Sequence, residues 1–174
     1  MSRTKTSVCL ETEEFYISNM LEHDLLEVVE IEEAARLSRW GFDAYHAELM
    51  QGRGALMLVA RCRQREGATA PELGIGGFIA ARLSVDELHI NNVAVRDPYR
   101  RRGMGGALLD AVLAKGARLG ARTALLEVRA TNYPAQALYE KYGFRVTGRR
   151  RNYYAEPLED ALVMSAALQN RGLL

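Results

Sequence analysis

Cysteine and histidine are scarce in this 174-residue chain, which has two of the first and three of the second. Cys9 and Cys62 are too few for a disulfide scaffold, and with His23, His46 and His89 they show no zinc-ligand spacing. No metal is expected. Long apolar runs are missing as well. Ala55–Ala60 and Ile75–Ala81 are the longest, far short of the roughly 20 residues that cross a bilayer, and the first residues lack a signal-peptide core. A soluble, cytoplasmic protein without membrane contact is therefore expected. Nor is there an excess of one charge: 23 Lys and Arg against 22 Asp and Glu leave a net charge of +1. Bulk electrostatics thus give no reason to expect direct nucleic-acid binding.

What is present is a hydrophobic fraction of 48% with 26% charged residues, the composition of one compact domain with a real core. There is no internal repeat and no linker-like shift in composition. Residues 1–14 read as a flexible extension and 15–170 as a single domain, with further flexibility expected in 61–74 and in the last four residues. Charge is uneven within this frame. Residues 1–33 hold nine acids and two bases, and the remainder holds 21 bases and 13 acids, so one pole suits a cation and the other an anion.

The apolar spacing of Leu21, Leu25, Val28, Val29, Ile31 and Ala35 predicts an amphipathic helix between Leu21 and Leu37, with Asn19 a possible cap. A second helix is expected after Gly41. Ala55–Ala60, Ile75–Leu83 and His89–Val95 read as strands, the first two joined by the long polar loop 61–74. Met104, Ala107, Leu108, Ala111, Val112 and Leu119 define a third helix. A strand at Thr123–Val128 precedes a short helix, Pro134–Tyr142, whose proline suits a first turn and whose Gly143 suits a left-handed cap. Two strands, near Phe144–Tyr154 and Asp160–Leu168, close a mixed α/β or α+β sheet.

The informative segment is Arg100-Arg101-Arg102-Gly103-Met104-Gly105-Gly106, between a strand and a helix. Backbone N–H groups at a helix start are unsatisfied and sit at the positive end of its dipole, and glycine lets an anion approach them closely. Arg96 and Arg100–Arg102 add positive charge. No Gly-Lys-Ser/Thr follows, so the loop is not a Walker motif, and Leu108 stands where a dinucleotide fingerprint needs a third glycine. An exposed arginine turn with capping glycines remains the alternative.

Preceded by Val93-Ala94-Val95, the pattern Arg-x-x-Gly-x-Gly at Arg100, Gly103 and Gly105 resembles the acetyl-CoA pyrophosphate loop of the GNAT family of N-acetyltransferases. The resemblance continues through Leu126-Glu127-Val128-Arg129-Ala130-Thr131-Asn132, Ala137-Leu138-Tyr139-Glu140, Tyr142-Gly143-Phe144 and Arg150-Arg151-Asn152-Tyr153-Tyr154. These segments are similar to the bacterial branch that acetylates the N-terminal alanine of a ribosomal protein. The match runs over roughly residues 88–168 and is looser in the N-terminal third. It implies a mixed, mostly antiparallel central sheet flanked by helices, acetyl-CoA as cosubstrate, and a protein or peptide N-terminus as acceptor.

Acetyl transfer needs a neutral amine, a stabilised oxyanion and a proton for the departing thiolate. Glu127, in an apolar strand beside Leu126 and Val128, is suited to be a general base, directly or through a water, and the resemblance gives it that role; pairing with Arg129 or another arginine is the plain structural reading. The resemblance likewise makes Tyr139 the acid that protonates the CoA sulfur, where simple packing is the other reading. It implies cofactor contacts for the backbone of Val93, Ala94 and Val95, for Arg100, Arg101, Arg102, Gly103, Met104, Gly105 and Gly106, and for Asn132 and Tyr139. A helix cap explains Asn132 equally well. Arg150, Asn152, Tyr153 and Tyr154 resemble the acceptor-side strand. His89 is an alternative base, while Cys9 and Cys62 lack the neighbours of an acyl-cysteine route. A small-molecule amine acetyltransferase and a non-catalytic acyl-CoA sensor are the competing functions.

Overall fold

A computed structural model describes residues 15–37, 40–63 and 74–168. The expected extension, the last four residues and most of the 61–74 loop lie outside the described residues. Seven strands form one sheet: β1 (Phe15–Asn19), β2 (Ala55–Cys62), β3 (Ile75–Ser84), β4 (Glu87–Val95), β5 (Thr123–Arg129), β6 (Arg145–Ala155) and β7 (Leu158–Ala167). Their order is β1-β2-β3-β4-β5-β7-β6. The β4–β5 pair alone is parallel, so the sheet is mixed and mostly antiparallel. Four α-helices accompany it among the described residues: α1 (Leu25–Ala34), α2 (Gly41–Gln51), α3 (Met104–Arg118) and α4 (Tyr133–Lys141).

The period-2 alternation of the strands divides the interior into two cores. On one face Leu56, Leu58 and Ala60 of β2 pack with Leu108, Leu109, Val112 and Leu113 of α3 and with Tyr139 and Phe144. On the other, Met57 and Val59 pack with Leu25, Val28 and Ile31 of α1 and Tyr45 of α2. The sheet is thus covered on both sides over β2–β4.

Three local expectations change. β1 was not expected at all: it is a five-residue edge strand whose apolar alternation is only Phe15 and Ile17, and pairing with β2 from Phe15↔Cys62 to Asn19↔Leu58 creates it. The first helix starts at Leu25 rather than Leu21, because Leu21 is extended and its N–H donates to Asp24 Oδ2 at 2.8 Å across a 3₁₀ turn. Asn19 consequently caps nothing; its Oδ1 accepts from Lys115 Nζ at 2.8 Å. The loop after β2 is shorter than expected, since Arg61 and Cys62 continue the strand; Arg61 is held there by a two-pronged contact with buried Asp24, both at 2.8 Å.

The feature that matters most for function is an irregularity in β4. Ala80 pairs with Asn92 and Ala81 with Ile90, so Asn91 is an extra residue in the ladder. Before it, Leu88 and Ile90 face the α3 core; after it, Val93 and Val95 do. Asn92 and Ala94 turn instead toward the α1–α2 side. The pairing of β4 with β5 also ends here, at Ile90↔Leu126. Beyond that point the two strands part, and the edge of Val93–Val95 away from β3 has no strand partner among the described residues.

Candidate active site

The parting of β4 and β5 opens a cleft of about 400 Å³. Its floor is His89–Val93 of β4 and Leu126–Arg129 of β5. Arg36, Leu37 and Trp40, between α1 and α2, form one wall; Asn132, Ala135 and Tyr139 of α4 form another, and Tyr153, Tyr154 and Glu159 of the β6–β7 hairpin a third.

Glu127 projects from β5 on the face opposite Leu126 and Val128, which enter the α3 core. It is mostly buried, its side chain 13% exposed. Neither oxygen is idle: Oε2 lies 2.7 Å from His89 Nε2 and Oε1 lies 3.2 Å from Arg150 Nη2. The arginine reading of Glu127 therefore holds with Arg150 as the partner. Arg129 turns to Glu159 at 3.3 Å and stacks its guanidinium 4.1 Å from the Tyr154 ring. Burial, only partly offset by Arg129, pushes the Tyr154 phenol up to about 12.

Tyr139 reaches the cleft from α4. Asn132 caps that helix, its Oδ1 accepting from Ala135 N at 3.2 Å, and Gly143 follows its end at φ +88. The ring packs 5.9 Å from Phe144 and is 7% exposed. Burial pushes its phenol well above the ordinary tyrosine value, so it carries its proton at neutral pH. No hydrogen bond to its hydroxyl is made among the described residues.

The glycine loop has the expected form. Gly103 stands at φ +82 as the N-cap of α3 with no side-chain cap, which leaves the first N–H groups of the helix open. At Gly105 a side chain would point away from crowded protein, its nearest neighbours being Leu138 at 3.5 Å and Val95 at 3.7 Å. Met104 is buried in the core, so only its backbone can face a ligand. The four arginines do not act alike. Arg101 and Arg102 are exposed, but Arg96 points to Ile75 O, Glu27 and Glu30 at 3.1–3.2 Å. Arg100 binds Asp97 at 2.7 Å and Val95 O at 3.0 Å. Arg96 is thus a clamp between β4 and α1 rather than part of the loop's charge.

The β6–β7 hairpin is shaped by a second irregularity that the sequence did not reveal. Arg150 pairs with Ala161 and Tyr154 with Glu159, so residues 151–153 bulge opposite Asp160 alone. Asn152 takes φ +51 there, its N–H donating to Asp160 Oδ1 at 2.8 Å. The residues that resemble the family's acceptor side, Arg150, Tyr153 and Tyr154, stand around this bulge beside Glu127. Sequence reasoning also missed Glu32, 1% exposed, which accepts from Trp40 N, Gly41 N, Tyr45 Oη and Asn92 Nδ2. A lone carboxylate in an apolar helix face was its only signal. No cluster of three or more His, Cys, Asp or Glu that could hold a metal occurs among the described residues.

The acetyltransferase (GNAT) family model matches residues 25–144. A [ribosomal protein bS18]-alanine N-acetyltransferase of Salmonella typhimurium is 34% identical over 151 residues, spanning 86% of this chain and 95% of that one. The crystal structure of the ribosomal-protein-S18-alanine N-acetyltransferase from Escherichia coli superposes with a TM-score of 0.73 at 31% identity, covering 91% and 94% of the two chains. Arabidopsis thaliana NAA60 shares the fold, with a TM-score of 0.77 at 20% identity over 88% and 97% of the chains.

Proposed function

Because the chain belongs to the GNAT family of acetyltransferases and is an acetyl-CoA-dependent N-acetyltransferase, we propose that its acceptor is a protein N-terminal α-amine, that of an alanine-initiated ribosomal protein. The observation that carries the reading is the single cleft shared by a carboxylate, Glu127, and a buried protonated phenol, Tyr139. One wall of that cleft comes from α4 and another from the β6–β7 hairpin, and both catalytic groups face the space between them.

The residues present fit acetyl-CoA. Open N–H groups at the start of α3, the uncrowded Gly105 and exposed Arg101 and Arg102 suit a pyrophosphate. The edge of Val93–Val95 that has no strand partner among the described residues suits an extended arm, and Asn132, whose Oδ1 caps α4, keeps its Nδ2 group for a further contact. When bound, acetyl-CoA supplies the acetyl group as an activated thioester. Glu127 promotes loss of the proton from the acceptor ammonium, directly or through a neighbouring group, and Tyr139 supplies one to the leaving sulfur. An α-amine, with a reference pKa near 7.7–8.0 against about 10.4 for lysine, asks less of a base at neutral pH. No metal enters this scheme. A cytoplasmic location goes with it, and no helix among the described residues is long and apolar enough to cross a membrane.

The test mixes the protein and acetyl-CoA with a short peptide beginning in alanine, its N-terminally blocked form, free lysine or spermidine, and measures released thiol. Turnover that requires the free peptide terminus is expected. Release with the small amines alone would replace the acceptor, and no release at all would leave an acyl-CoA sensor.

A further inference from the structure

We propose that the amine proton passes to His89 and that Glu127 acts as the group that orients and balances this imidazole. The inference rests on the transferase reading and deepens it, putting a side chain where a direct contact or a water was expected. His89 and Glu127 are 38 positions apart, yet β4 and β5 bring them onto one face of the sheet: His89 pairs with Leu125, and Glu127 is two residues further along the same strand.

Three observations assign the roles. First, the carboxylate is already engaged at both oxygens, by Arg150 at Oε1 and by His89 at Oε2, so an incoming amine would have to share an oxygen that already holds a cationic or N–H partner. Second, exposure favours the imidazole: the His89 side chain is 45% exposed and that of Glu127 is 13% exposed. Third, an ionised carboxylate can only accept, so the 2.7 Å contact makes Nε2 the N–H donor. In the neutral ring this leaves the lone pair on Nδ1, for which no partner exists among the described residues. Both side chains line the cleft.

The step balances without any further reactant. An N–H bond of the acceptor ammonium breaks and its electron pair stays on nitrogen, which becomes the nucleophile. The proton forms a new N–H bond at His89 Nδ1. The resulting imidazolium keeps its Nε2–H on Glu127 Oε2, and the negative carboxylate offsets its charge. Arg150 holds the other oxygen, fixing the carboxylate plane. The proton afterwards leaves to solvent from the exposed ring.

The experiment compares wild type, H89A, E127Q and the double variant on an alanine-initiated peptide, with acetyl-CoA affinity measured on each. His89→Ala is expected to lower kcat roughly 100-fold or more while leaving acetyl-CoA affinity within threefold. Added imidazole should restore part of that loss in H89A and none in E127Q. The double variant should be no worse than the weaker single one, because the pair works as a unit. A His89→Ala enzyme with kcat within threefold of wild type, or one whose loss imidazole does not repair, overturns the proposal. Wild type that releases no CoA thiol from acetyl-CoA in the presence of the peptide would instead overturn the acceptor reading on which this proposal rests.

Discussion

Asn92 donates from Nδ2 to the hydroxyl of Tyr45 over 2.8 Å, joining β4 to α2 inside the α1–α2 core. Both residues also bond to Glu32, whose carboxylate fixes the backbone N–H groups of Trp40 and Gly41 at 2.8 and 3.0 Å. The wall of the cleft that carries Trp40 is therefore tied to the strand that carries the site. Glu32→Ala would take the acceptor from the buried Tyr45 hydroxyl and from the part-buried N–H groups of Trp40 and Gly41, at about 1–3 kcal/mol for each left unsatisfied, while Asn92 keeps its bond to Tyr45. A loss of about 3 kcal/mol or more in urea denaturation is expected, with a raised peptide KM. Stability within 1 kcal/mol of wild type would remove Glu32 from this role.

Glu127→Gln keeps the shape of the side chain and removes its charge. The expected fall in kcat is roughly 100- to 10,000-fold, with acetyl-CoA binding by calorimetry unchanged, because the loop at Gly103–Gly106 is a separate structure. A glutamine enzyme that turns over normally would show the carboxylate to be only a structural partner of Arg150 and His89.

Tyr139→Phe should also lower kcat by about 100-fold or more with little change in stability, since the ring keeps its packing on Phe144 and the hydroxyl has no hydrogen-bond partner among the described residues to lose. The raised phenol values add a pH signature. Tyr139 and Tyr154 hold their protons in the folded state after the unfolded chain has begun to release them. Their contribution is complete below the ordinary tyrosine pKa and is lost as pH rises above about 10. Thermal melts across pH 9–11 should show a steeper fall in wild type than in the Tyr139→Phe protein.

Gly105→Ala separates binding from folding. An added Cβ meets only ordinary contacts with Leu138 and Val95, and alanine is the better helix former by about 1 kcal/mol. Unchanged or slightly raised thermal stability is expected, together with a tenfold or greater rise in the KM for acetyl-CoA. An unaltered KM would mean that no ligand approaches this backbone closely.

Acid should loosen the hairpin before the rest. Hydrogen bonds from the Thr131 hydroxyl and N–H, helped by Arg129, hold the Glu159 carboxyl below its usual range. The Asn152 N–H and then Arg149 do the same for Asp160. The unfolded chain binds these protons first as pH falls, so their stabilisation is present above the ordinary carboxylate range and is lost below it. Melting temperatures between pH 6 and 3 should fall more steeply for wild type than for the E159Q/D160N protein. Equal slopes would assign the acid loss to other carboxylates.

Much of this site is legible in the chain because its parts are local. The glycine loop, the Asn132 cap with Gly143 behind α4, and the strand holding Glu127 each follow from the spacing of a few neighbouring residues, and each lies where its spacing puts it. Arg96 shows the limit of such reading. It stands four residues from Arg100, yet its side chain crosses to Glu27 and Glu30 of α1, 66 or more positions away in sequence.

The sequence by itself determined the element types from β2 onward and the open helix start that suits an anion. Propensity, capping and periodicity act over a few residues, and those are written in order along the chain. Only the tertiary structure decided that β1 exists, since an edge strand this short is made by its partner. It alone decided that Asn91 is an extra residue in β4, because a bulge is a property of two strands in register and leaves no mark on either one. That shift turns Asn92 toward Glu32 and ends the β4–β5 ladder at the cleft, just past the turn of the sheet where His89 meets Glu127.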